Sequence, residues 1–91
     1  MAITGDEFRT TVAGSEVVVI GSSGPVHATW RLLVEGVEVD SAAAAGEFTL
    51  KGALGDGSAV EAAVHQSLLG PTRVTIRHGG ADVFTGTGFV A

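Results

Sequence analysis

Three histidines, His27, His65 and His78, and ten carboxylates are the side chains in this chain that acid-base or metal chemistry would use. An imidazole titrates near neutrality and binds Zn2+ or Fe2+ through a ring nitrogen, so three converging from different strands would make a metal centre. Their spacing matches no ligand motif, and they read as surface or structural histidines, with no metal and no cofactor expected. His65 follows Glu61 by four residues. On a helix that spacing makes neighbours, whereas an extended strand holds the two about 13 Å apart, so secondary structure decides whether they can pair. Ser22, Ser23, Ser58 and Ser67 supply hydroxyls and Asp6, Asp40 and Asp56 carboxylates, but no Gly-x-Ser-x-Gly or comparable motif activates any of them. Gly21-Ser22-Ser23-Gly24-Pro25 has the glycine content of a phosphate loop without its lysine or following helix, and reads as a turn. No catalytic residue is assigned, and the chain reads as non-enzymatic.

Trp30 is the single indole. In a groove it would stack on a ligand. Within the stripe Val26, Ala28, Trp30, Leu32 and Val34 it belongs to the core, where its N–H needs a polar partner.

Positioning any of these groups falls to a chain of 91 residues, enough for one domain with a thin core. Alanine and valine, thirteen of each, dominate the apolar residues, so Trp30, Phe48, Phe84 and Phe89 are the expected large anchors. Cysteine is absent, which excludes disulfides, thiolate chemistry and thiolate metal ligation. A reducing interior suits such a chain. No basic amino-terminal segment precedes an apolar run, and Val17 to Ile20 and Leu32 to Val34 are too short to span a bilayer, so a soluble cytoplasmic protein without a cleaved signal is expected. The formal charge is −5, and Arg9, Arg31, Lys51, Arg73 and Arg77 are dispersed. Nucleic-acid binding needs a dense cationic footprint with stacking aromatics, and neither is visible.

The elements are read from period-two alternation between turn signals, which predicts an all-β domain of seven to eight antiparallel strands, a small sandwich or a partly open barrel. Glu7 to Ala13 leads through Gly14-Ser15 into Glu16 to Ile20, two β-rich runs that alternate only partly. The Val26 to Val34 stripe puts His27, Thr29, Arg31, Leu33 and Glu35 on the opposite face and turns at Glu35-Gly36 into Val37 to Asp40, with Val37 and Val39 on one face. Ser41 to Ala45 reads as a lateral connection with at most a helical turn. Gly46 to Lys51 resumes alternation with Phe48 and Leu50 inward. After Asp56-Gly57, Ala59 to Ser67 has Val60, Ala62 and Val64 on one face. Thr72 to Arg77 and Asp82 to Ala91 are joined by a hairpin at His78 to Ala81. Gly86 and Gly88 suit a bulge, a bend or close packing of two sheets.

Leu33 is an apolar interruption in a polar face. An interaction surface of Leu33 and Arg31, with Leu68 or Leu69 nearby, is expected, because a small domain gains stability by covering apolar surface or an open edge.

The run Trp30-Arg31-Leu32-Leu33-Val34-Glu35-Gly36 followed by Ala45-Gly46-Glu47-Phe48 resembles part of the Fas apoptotic inhibitory molecule family, over about Trp30 to Val83. In that family a strand ending at an Asn-Gly or Asp-Gly turn is followed by a Gly-Glu-Phe segment and further strands. The resemblance implies a compact β-sandwich acting through protein contacts without a catalytic site, and it assigns no binding residue here. The chain departs from the pattern in lacking cysteine and tyrosine, and at Leu68 to Thr72. The expected function is a non-enzymatic protein-interaction or self-assembly domain. The alternative is a small-molecule or carbohydrate-binding β domain, which would require a concave pocket holding Trp30 or another aromatic.

Overall fold

Alternation over short runs gives extended strands here, and none of the described residues is helical. The computed structural model describes residues 5–22, 28–43, 46–66 and 72–88. They form β1 (Gly5–Val12), β2 (Ser15–Ser22), β3 (Thr29–Val34), β4 (Val37–Ala43), β5 (Glu47–Ala53), β6 (Ala59–His65), β7 (Thr72–His78) and β8 (Ala81–Gly88). Each half of the chain is a meander: one antiparallel sheet in the order β1-β2-β3-β4 and a second in the order β5-β6-β7-β8. The two stack as a sandwich that no ladder closes into a barrel. At the margins β4 lies against β5 and β1 against β8.

Tight turns set the register. Ala13-Gly14, Glu35-Gly36 and Gly79-Gly80 each link two strands with positive φ at both central residues (48° and 79°, 51° and 79°, 61° and 78°). That geometry matches the right-handed twist of the strands it joins. The connection from β5 to β6 is longer, and Leu54 to Ser58 closes on itself through Leu54 N donating to Ser58 O at 2.8 Å and Gly57 N donating to Leu54 O at 2.9 Å.

The core lies between the sheets. Trp30, Leu32, Val17 and Val19 from the first sheet meet Leu50, Val60, Val64, Val74 and Ile76 from the second, all essentially without solvent contact. Phe8 completes the margin, its ring edge-to-face with Phe84 at 6.4 Å between centroids. Phe8 was not among the expected anchors, since its strand alternates poorly. Phe48 and Phe84 are half-buried against the core, and Phe89 lies outside the described residues. At Gly86 the sheets approach closely: a β-carbon would stand 2.5 Å from Phe8 Cδ1. Close packing is thus the use made of this glycine.

Three expectations are corrected. Gly21 and Ser22 belong to β2 and pair with Trp30 and Thr29 instead of opening a turn, because the indole lies over Gly21, where a β-carbon would be 2.5 Å from Cη2. Ser41, Ala42 and Ala43 extend β4 opposite Arg31, Trp30 and Thr29, where Ala42 packs on the core; a run so short gains more from a ladder than from a helical turn. The β4 alternation breaks at Val39, an extra residue between the pairs Leu32–Asp40 and Leu33–Glu38. This bulge leaves Val37 and Val39 exposed and carries Asp40 to the β5 margin, where its carboxylate accepts from Lys51 N at 2.9 Å and Ser41 N at 2.8 Å. Val83 is the matching bulge between β7 and β8.

Candidate functional site

Two outward sheet faces and one loop carry the polar side chains that could act on another molecule. On the first sheet, the ladder sets Val18 opposite Leu33 and Ile20 opposite Arg31. Leu33 therefore has apolar company on this face, with Ile20 half-buried beside it and Val18 already 4% exposed beneath its neighbours. Parity could not show this, since Val17 to Ile20 is apolar throughout and only pairing tells which members face outward. Charges of both signs ring the three. Arg9 reaches Glu7 and Glu16, each at 3.3 Å, and Arg31 reaches Glu38 at 3.5 Å. These pairs are about half exposed and add little stability, but they leave the face balanced in pattern. Of the expected surface, the structure thus brings Arg31 and Leu33 together; Leu68 and Leu69 lie outside the described residues.

The second sheet's outward face is concave. Its rows run Glu47, His65, Arg73 and Thr87; then Thr49, Ala63, Thr75 and Thr85; then Lys51, Glu61 and Arg77. A shallow trough of about 500 Å³ lies over this face, and Ala63 lines it in the row between Thr49 and Thr75. His65 Nδ1 meets the Glu47 carboxylate across the β5–β6 ladder, and Arg77 Nε donates to Asp82 Oδ1 at 2.9 Å. Glu61 is indeed not the partner of His65, as strand spacing requires. The cross-strand partner, Glu47, is 18 residues away and left no local signal.

Ser58 Oγ lies 2.8 Å from His78 Nε2 and 2.5 Å from Asp56 Oδ1, a contact set the sequence did not announce. The resemblance to an activated serine ends at proton counting. Hydrogen bonds from the Ser58 hydroxyl and then its backbone N–H hold Asp56 below the usual carboxylate range, so it only accepts. The single hydroxyl proton goes to Asp56, and Nε2–H must donate to Oγ. A base-activated serine needs the opposite polarity. The set fastens the Leu54 to Ser58 loop to the end of β7.

His65 and His78 stand near opposite ends of the β6–β7 ladder, roughly 17 Å apart by strand rise, and His27 lies outside the described residues. Among the described residues no group of three or more His, Cys, Asp or Glu side chains could hold a metal ion. Trp30 is fully buried, and its Nε1–H donates to Gln66 Oε1 at 3.3 Å, so the indole offers no stacking surface. No described helix is long and apolar enough to cross a membrane. Comparison with protein families, curated proteins and solved structures finds no match.

Proposed function

We propose that this chain is a non-enzymatic assembly domain whose first sheet pairs with the same sheet of a second copy. The observation that carries the reading is the pair of half-buried outward residues Ile20 and Leu33, seated over the buried Val18, inside a ring holding both Arg9 and Arg31 and four glutamates, Glu7, Glu16, Glu35 and Glu38. A two-fold contact needs a patch complementary to itself, with an apolar centre and charges of both signs at the rim. This face has that composition. Its size sets the strength: four strands by about six residues cover roughly 400 Å², about half the area per partner of a standard interface, so the dimer is weak.

The resemblance to Fas apoptotic inhibitory molecule domains, which act through protein contacts, supports the same class of function. Sedimentation velocity from about 10 μM to about 1 mM should show the mass rising toward a dimer at the upper end. Leu33→Asp should keep the chain monomeric throughout while retaining a cooperative melt, since Leu33 is half-buried on the outward face and outside the core. A wild-type monomer at every concentration, or a dimer indifferent to Leu33→Asp, would remove the proposal.

A further inference from the structure

On the opposite side of the sandwich, and independent of that contact, we infer a binding site for a small hydroxylated monocarboxylate, of the hexuronate class, in the trough of the second sheet. Arg73 is the observation. Arg9, Arg31 and Arg77 each have a carboxylate partner, whereas among the described residues Arg73 makes no ion pair and no side-chain hydrogen bond. The carboxylate in its own row is engaged elsewhere, because His65 stands between Glu47 and Arg73 and takes Glu47 for itself. A guanidinium with its fork unused, at the side of a concave surface, is a receptor for a planar carboxylate.

The surroundings narrow the class. The trough's volume of about 500 Å³ falls within the range of small-molecule sites. Ala63 is the smallest side chain lining it, and a larger one there would take up part of its volume. Thr49 and Thr75 flank Ala63 with hydroxyls that make no hydrogen bond among the described residues, partners suited to ligand hydroxyls. Lys51, Arg73 and Arg77 on this face are matched by Glu47, Glu61 and Asp82, so no concentrated positive potential awaits a dianion. One unused fork beside those acids favours a monovalent carboxylate over phosphate.

The test is a titration of the full-length chain followed by amide chemical shifts, with D-glucuronate, D-glucose and inorganic phosphate as separate probes. Glucuronate should give saturable shifts at Ala63, His65, Arg73 and Thr75, with a dissociation constant on the order of 1 mM, as suits a ligand of this size. Arg73→Gln should weaken binding by roughly tenfold or more, and Ala63→Leu, which takes up part of the trough, should do likewise. Val37→Thr, at an exposed position beside the β3–β4 turn that belongs to neither face, should change nothing. A dispersed amide spectrum in each variant shows that the fold persists. The inference fails if glucuronate produces no saturable shifts, if glucose or phosphate binds as well as glucuronate, or if Arg73→Gln binds like the wild type.

Discussion

Ala13 holds a φ of 48°, in the left-handed region where a β-carbon crowds the following carbonyl. It does so because the β1–β2 turn needs positive φ at both central residues, and only the second, Gly14, is a glycine. Asparagine tolerates this conformation better, and Asn-Gly is the preferred pair for such turns. Ala13→Asn should therefore stabilise the fold by about 0.5–1 kcal/mol, read as a higher midpoint in urea with an unchanged denaturant slope. Not every residue-scale feature was readable in this way. That Trp30 is a core residue followed from its stripe, and so did the need for a partner at its N–H; that the partner is Gln66 did not, because the two are 36 positions apart. Gly21 likewise sits in local turn grammar, and only the indole lying over it in the fold gives the glycine its use.

At the scale of elements, the Leu54 to Ser58 loop shows how a polar cluster can serve the fold. Asp56 has a lowered pKa chiefly through its bonds from Ser58, so its contribution to stability is fully present above the ordinary value of 3.8 and is lost as pH falls through the lowered one. Asp56→Ala should consequently lower the melting temperature at neutral pH, and the gap should close as the pH is taken below 3.8. A gap that persisted unchanged well below pH 3.8 would contradict this account. The strands themselves were largely legible: Val60, Ala62 and Val64, or Val74 and Ile76, alternate cleanly and are buried as alternation demands. Alternation failed at the bulge residues Val39 and Val83, where the extra residue shifts every later side chain relative to its partner strand. Nothing local marks such a residue, because the bulge is a property of the pair of strands.

For the whole molecule, the formal charge of −5 opposes the self-association proposed for the first sheet. Its apolar centre is insensitive to ionic strength, whereas repulsion between two acidic copies is screened beyond a Debye length of about 10 Å at 0.1 M salt. Raising sodium chloride from about 20 mM to about 300 mM should thus tighten the dimer, as measured by sedimentation. Loosening over that range would mean that rim charges, and not the Val18, Ile20 and Leu33 cluster, dominate the contact.

The sequence by itself determined that this chain builds antiparallel strands around a thin core of alanine, valine and a few large side chains, because alternation and turn chemistry are local and, within each sheet, each strand pairs with the next in the chain. It also identified Leu33 and Arg31 as outward residues of one strand. Only the tertiary structure decided what stands beside them: Val18 and Ile20 at the first face, and Glu47 beside His65 at the second, so that among the described residues Arg73 makes no ion pair. Those neighbours are set by ladder register and by which face of each sheet turns to the other. Both are pairwise properties of strands, which a single run of residues does not contain.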